Sequence, residues 1–365
     1  MNKRIVIAGG GTGGHIFPAV AVANALKAKE PGIEVLFIGA MGKMEMEKVP
    51  LAGYKIVGLN IAGFERRHIW KNFMLPLKML RSFLKVRAVF NKFKPQAAFG
   101  VGGYSSYPVL KYAQWVGIPT YLHEANAFGG KSNQLLAKKA KRVFVGTPGM
   151  EQFFPASKII FTGNPVRRNI TATVTDKSTA LAHFGLQVNG PVLLVVGGSL
   201  GARSINDAVK AGIDMWLDKG YGIIWQTGKL FGDAAKNAAA GKSAAYVSEF
   251  INDMHMAYAA ADIVISRAGA MSVTELCITG KAVIFVPFPF AAEDHQTANA
   301  MALVRNNAAL LVRDADAMQR LMPAAVELAE NEGLLNGLAE NIKKMAKADA
   351  DEVIAEQILN DLLEK

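Results

Sequence analysis

Short apolar runs, many of them β-branched, recur along the chain. Each is followed by a longer stretch in which apolar positions return every three or four residues. The first series comprises Ile5–Ala8, Val35–Ile38, Ala97–Val101, Thr120–His123, Arg142–Val145 and Ile159–Thr162. After Pro165 the rhythm restarts with Val192–Val196, Gly222–Gln226, Ala245–Ser248, Ile263–Ser266, Ala282–Val286 and Ala309–Val312. Buried strands alternating with helical patterns are the signature of βαβ units and parallel sheets. Two such series predict an α/β protein with two doubly wound, Rossmann-like domains in tandem. The halves also begin alike: Lys3–Gly11 and Pro191–Ser199 each run a strand into glycines and then a helix. The junction is expected near Gly163-Asn164-Pro165, giving domains at 1–163 and 164–345. An amphipathic segment from about 346 to 365 is expected to cross back onto the first domain. The length of 365 residues agrees, being too great for one ordinary core.

Charge changes the picture. The chain carries a net charge of +11, which suggests an acidic partner: nucleic acid, nucleotide phosphate or an anionic lipid surface. Phe64 to Lys94 holds nine Lys or Arg against the single acid Glu65, so this stretch supplies +8 of the +11. Within it Leu77, Leu80 and Leu84, joined by Met79 and Phe83, recur at helical spacing after Pro76, with Lys78, Arg81 and Lys85 interleaved. Ile69, Trp70, Phe73 and Met74 precede them. The pattern resembles a basic amphipathic segment lying on an anionic membrane. Its plainer reading is a helix with one core face and one solvated basic face. No nucleic-acid motif accompanies the charge, so no nucleic-acid partner is expected. A single cysteine, Cys277, excludes an internal disulfide and a Cys-rich metal site, and its apolar helical setting marks it as a core residue. The N-terminus enters a strand at once, leaving no room for a signal peptide. No apolar run reaches the roughly 18 residues of a membrane-spanning helix. A cytoplasmic protein is expected.

Glycines after a parallel strand let the backbone turn tightly toward an anion, and the next helix presents free N–H groups to it. Gly9-Gly10-Gly11-Thr12-Gly13-Gly14-His15 and Gly197-Gly198-Ser199-Leu200-Gly201-Ala202 both fit that use. The first also satisfies the dinucleotide fingerprint, which wants an acid at the end of the second strand to hold a ribose. Here that strand ends Phe37-Ile38-Gly39-Ala40, with no acid, and the dinucleotide reading recedes. A carboxylate does follow a strand in the second half. Ser266 to Glu275 reads as a strand end, a small-residue turn and a helix start, placing Glu275 where it can accept from two ribose hydroxyls. Its plainer role is to complement the helix dipole.

At these residues the chain resembles the MurG-type N-acetylglucosaminyltransferases of peptidoglycan synthesis, within the GT-B fold of two Rossmann-like domains facing a central cleft. The resemblance spans nearly the whole chain. It is carried by Gly11–Pro18, Gly102-Gly103-Tyr104-Ser105, His123-Glu124-Ala125-Asn126, Gly163–Arg167, Gly197–Arg203, Arg267–Glu275 and Asp294–Ala300. It implies a UDP-N-acetylglucosamine donor held mainly by the second domain. The sugar would pass to the 4-hydroxyl of the N-acetylmuramoyl unit of lipid I, the undecaprenyl-linked acceptor, giving lipid II with inversion. Ser199 and its loop would contact the UDP phosphates with Arg167 nearby, and Ile251 would hold the uracil. Ala270, Met271, Ser272, Val273, Thr274 and Glu275 would bind the nucleotide. Gln296 and Asn126 would contact the sugar, and Thr12, Gly13 and Gly14 would close over it. Gly103, Tyr104 and Ser105 would face the acceptor, with Leu77, Leu80 and Phe83 on the membrane. The chain departs from the family's pattern at Ala125, usually Gln, at Tyr107, usually glycine, and at Ala62–Arg67, which replaces a basic Leu-Arg-Gly stretch.

Inverting transfer needs a base for the acceptor hydroxyl. His15 is the candidate, since an imidazole titrates near neutral pH, and Glu124 is the alternative. His15 could instead serve only as a hydrogen-bonding group. No cofactor is expected to be essential, though a divalent cation could stimulate. The resemblance implies a peripheral protein on the cytoplasmic face of the plasma membrane. Another GT-B enzyme acting on UDP-sugars, a glycolipid synthase or a nucleotide-sugar epimerase, is the alternative. A non-catalytic nucleotide-binding protein stands behind both.

Overall fold

The computed structural model describes residues 3–11, 13–63, 73–166, 175–198 and 200–363. Contacts divide the chain into one unit of Met1–Arg167 with Ala348–Lys365, and a second of Arg168–Lys347.

Among the described residues the first unit holds seven parallel strands. They are β1 (Arg4–Ala8), β2 (Glu34–Ala40), β3 (Lys55–Leu59), β4 (Ala97–Gly100), β5 (Thr120–Glu124), β6 (Arg142–Val145) and β7 (Ile159–Phe161), ordered β3-β2-β1-β4-β5-β6-β7. The central strands are continuous apolar runs because helices cover both faces. One face packs Ile5, Ile7, Phe99 and Tyr121 against Val22 and Leu26 of the Gly13–Lys29 helix. The other packs Val6, Ala98 and Leu122 against Val86, Phe90, Val109 and Leu110. Lys55–Leu59 is not among the predicted strands. It is an edge strand whose first residue is exposed and next two half-buried, so it lacks a continuous apolar run.

The last helix, Ala350–Leu363, lies on the first unit's sheet through Ile354, Ala355 and Ile358. Its Asp361 is buried and takes a bidentate pair from Arg142, Nε at 2.8 Å and Nη2 at 2.9 Å. Burial works to raise this carboxyl's pKa, but hydrogen bonds from Arg142 and Lys141 outweigh it and hold the pKa below its ordinary value. The observed division falls a few residues beyond the expected one at both ends. Asn164 stays with the first unit because its amide donates to the Ala125 carbonyl at 3.1 Å. Ala346 packs on the second unit's core, so the returning segment begins at Ala348.

The second unit holds β8 (Val192–Val196), β9 (Gly222–Gln226), β10 (Ala245–Ser248), β11 (Ile263–Ser266), β12 (Ala282–Phe285) and β13 (Leu310–Leu311), all parallel and ordered β10-β9-β8-β11-β12-β13. In both sheets the strand order reverses beside the first strand, between β1 and β4 and between β8 and β11. Open parallel sheets bind ligands beyond the carboxyl ends of their strands at such a switch point. Both glycine turns leave strands that border one.

Candidate functional site

In the second unit the turn after β8 opens onto a cavity of about 680 Å³, lined in part by Gly197, Gly198, Arg203, Arg267, Ser272 and Gln296. That is the size of a small-ligand site. Gln226, at the end of β9, ties the glycine turn to the segment that follows β10. Its Nε2 donates to the Gly198 carbonyl at 3.2 Å, and its Oε1 accepts from the Ile251 N–H at 2.9 Å. Ile251 itself is buried. Gly201 has φ +78°, and a side chain there would collide with the Thr227 carbonyl, so the turn requires glycine.

The two cavity arginines differ in use. Arg267 is committed: its guanidinium donates to Asp314, to the carbonyls of Val286 and Pro287 and to Ser204, and lies over the Phe288 ring. Arg203 opens the next helix with its side chain 92% exposed and only a 3.6 Å ion pair to Asp207, so it is the more available cation. Arg203, Ser204, Phe288, Phe290 and Asp314 all line the cavity without having been given roles from sequence. Their signal was faint: each lies just past a strand or glycine turn, in motif flanks that resemble ordinary loop.

The Ala270–Thr279 helix follows β11 through Gly269. Val273 and Thr274 turn into the core, which leaves Ala270, Met271, Ser272 and Glu275 partly exposed. Helical periodicity thus presents four of the six side chains in this run away from the core. The Glu275 carboxylate accepts from the Tyr258 hydroxyl at 3.0 Å, which orients it. Gln296 sits at the start of the His295–Val304 helix, and its Oε1 accepts from the Phe288 N–H at 3.0 Å. Just before it, Glu293 and Asp294 both take left-handed conformations, φ +58° and +52°, a strained pair beside the cavity. Cys277 is buried, and burial pushes its thiol up to about 12.

In the first unit Gly13, Gly14 and His15 form the start of the Gly13–Lys29 helix. A side chain at Gly102 would come within 3.1 Å of His15 Nε2, so the imidazole packs directly on the second glycine loop. Gly102 and Gly103 have φ +90° and +79°. Tyr104 is half-buried, and Ser105 is buried. Glu124, the alternative base, is buried and accepts from Gly130 N–H, Asn133 Nδ2, and both the backbone and side chain of Asn126. Burial raises its pKa, while these four donors pull the other way. That arrangement suits a hub holding the loop, with Asn126 positioned by it. His123 is fully enclosed, and burial lowers its pKa to about 4. Thr12, Arg167, Ser199 and the Phe64–Arg67 departure lie outside the described residues.

The basic stretch splits in a way the sequence did not separate. In the Leu75–Phe93 helix Ser82, Val86 and Phe90 are buried, with Met79 packed on the same core. Phe83 is half-buried and stacks on the exposed Trp115, with ring centroids 4.8 Å apart. Phe73, Leu77, Leu80 and Leu84 are exposed at i, i+4, i+7 and i+11, with Met74 and Trp115. Lys85 reaches back to donate to the Gly58 carbonyl at 2.6 Å. Among the described residues no helix is long and apolar enough to cross a membrane, and no cluster of His, Cys, Asp or Glu is placed to hold a metal ion.

Two parallel-sheet units, each with a glycine turn at its switch point and one with a nucleotide-sized cavity there, have the build of glycosyltransferases of the double-Rossmann class. Residues 5–145 match the glycosyltransferase family 28 N-terminal domain and residues 192–358 the family's C-terminal domain, and the chain belongs to that family. It is 50% identical over 360 residues to a Bacteroides fragilis protein, covering 98% of this chain and 95% of that one. That relative is named UDP-N-acetylglucosamine--N-acetylmuramyl-(pentapeptide) pyrophosphoryl-undecaprenol N-acetylglucosamine transferase. The crystal structure of Acinetobacter baumannii MurG superposes with a TM-score of 0.81 at 30% identity, covering 98% of this chain and 99% of that one. A Neisseria meningitidis UDP-GlcNAc 2-epimerase shares the fold, at a TM-score of 0.69 and 15% identity over 98% of this chain and all of its own.

Proposed function

We propose that the protein transfers N-acetylglucosamine from UDP-N-acetylglucosamine to the 4-hydroxyl of the N-acetylmuramoyl unit of lipid I, forming lipid II. The observation that carries this reading is the second unit's cavity, where a glycine turn, Arg203, Ser272 and Gln296 meet at a switch point. The diphosphate lies against the Gly197–Gly198 turn and Arg203, the ribose against Glu275, and the sugar against Gln296. The first unit holds the acceptor near Gly103 and Tyr104.

The acceptor hydroxyl loses its proton to His15 as its oxygen attacks the anomeric carbon. The bond from that carbon to the β-phosphate oxygen breaks with inversion, and UDP departs with the electron pair. Turn N–H groups and Arg203 meet the charge developing on the diphosphate, the electrostatic part of the rate enhancement. The exposed Phe73, Leu77, Leu80 and Leu84 stripe, beside Arg81 and Arg87, rests on an anionic membrane at the cytoplasmic face, where a lipid-linked acceptor is reached.

A coupled assay of UDP release tests the reading. Release from UDP-N-acetylglucosamine should require a lipid I analogue and yield a disaccharide product. Equal release without acceptor, or interconversion of the sugar, would overturn it in favour of a hydrolase or epimerase.

A further inference from the structure

Glu45 is one of the most deeply buried carboxylates in the chain, at 1% exposure, and neither a motif nor the proposed mechanism uses it. It opens the short Glu45–Leu51 helix five residues after β2 ends. Its Oε2 accepts from the Gly11 N–H and its Oε1 from the Ala40 N–H, both at 2.9 Å. A buried carboxylate is costly unless it is well bonded, and two N–H donors to an anion are strong bonds. The backbone is shaped around it. A side chain at Gly10 would collide with the carboxyl group, and one at Gly39 would come within 2.6 Å of its Cγ.

In dinucleotide-binding folds the N–H groups of this first turn receive the pyrophosphate. Here an internal carboxylate already takes one of them. The turn in turn supports the residues above it. A side chain at Gly103 would lie 2.6 Å from the Gly10 carbonyl, one at Gly102 3.1 Å from His15 Nε2, and one at Gly11 3.9 Å from the Tyr104 ring. Glu45, the first glycine turn, the second glycine loop and His15 thus form one packed stack.

We propose that Glu45 is a positioning residue: an internal stand-in for phosphate that fixes the first glycine turn, and through it His15 and Tyr104, in the geometry needed for transfer. This rests on the chain being the transferase described above. It also gives a reason why the first unit's turn, though it fits the dinucleotide fingerprint, leaves the nucleotide to the second unit.

The test is Glu45→Gln in the full chain, which keeps the shape and removes the charge. Steady-state transfer, UDP affinity by calorimetry and amide exchange of the peptide containing Gly11 are compared with the wild type. Turnover at saturating substrates should fall at least tenfold, UDP affinity should stay within about twofold, and exchange at Gly11 should accelerate. A role confined to general stability would instead leave turnover per folded molecule unchanged. Turnover within twofold of wild type, or unaltered exchange at Gly11, overturns the proposal. If Glu45→Gln no longer binds UDP, Gly39→Ala crowds the same carboxylate with its charge intact, and must lower turnover while UDP affinity is kept; normal turnover in that variant also overturns it. Absence of transfer by the wild type would sink the functional reading instead, and the exchange measurement would still report on Glu45.

Discussion

The two glycine turns are built from the same parts and have come to opposite ends. Each follows the first strand of a parallel sheet, borders the switch point and leads to a helix. In the second unit the space beyond the turn is a cavity of about 680 Å³ with Arg203 at its edge. In the first the Gly11 N–H is already bonded to Glu45, and the second glycine loop packs on the Gly10 carbonyl. A glycine turn at a switch point therefore says where a ligand can approach. Whether an anion does so depends on what already fills the N–H groups.

The comparison breaks first at His15. If the first turn exists to hold a reacting group, His15→Ala should cut turnover by about a hundredfold to a thousandfold, the scale of a lost general base. The Michaelis constant for the donor should move less than about threefold. Unchanged turnover would reduce His15 to a packing residue. Glu275→Ala tests the opposite side and should do the reverse. Losing a charged hydrogen bond to the ribose should raise the donor Michaelis constant about tenfold to a hundredfold, with turnover little changed. Donor affinity equal to wild type would remove Glu275 from the nucleotide site.

Much of this architecture is legible in the sequence, for a physical reason. Parallel strands covered on both faces must be apolar throughout, so β1, β4, β8 and β11 stand out as unbroken runs ending at turns. Glycines that need positive φ, such as Gly102 and Gly201, mark close approaches no other residue allows. What stays hidden depends on which face a side chain takes or on distant partners. Glu45 reads as one acid in a charged stretch until the fold brings Gly11, 34 residues earlier, within 2.9 Å. Val273 and Thr274 share the run with Glu275, and only the helical phase in the fold shows that their side chains are buried. Edge strand β3, half-buried and led by a lysine, gives too short a run to see.

The leucine stripe sharpens the contrast by asking whether the first unit meets a lipid surface. Leu77 and Leu80 are 38% and 56% exposed, so changing both to Asp spares the core that Val86 and Phe90 form. Affinity for vesicles containing anionic lipid should fall about thirtyfold or more, since each of the two leucines that inserts contributes on the order of 1 kcal/mol or more. Turnover on a soluble acceptor analogue should hold. If binding to anionic and neutral vesicles is equal in the wild type, or the double variant floats as well as the wild type, the stripe is not a membrane face.

The smallest expected effect comes from His123, beneath the first unit's site. Burial, opposed in part by the Gly163 backbone and the Asn164 amide, lowers its pKa from 6.5 to about 4. The unfolded chain thus binds a proton below about pH 6.5 that the folded chain refuses until near pH 4. Stability from this group is complete above pH 6.5 and is lost as the pH falls toward 4. Between pH 7.5 and 5.5 the loss should be about 1 kcal/mol. Glu124 contributes with the opposite sign, since its raised pKa makes the folded chain the better proton binder. The informative quantity is therefore the difference in pH slope between wild type and His123→Gln, measured by thermal or urea unfolding. The variant should lose less stability on acidification, whatever its absolute stability. Direct NMR titration of the wild-type imidazole checks the same point without a substitution. A midpoint near 6.5 would mean that the pocket under His15 admits water and charge, and that the first unit's site is less dry than its packing implies.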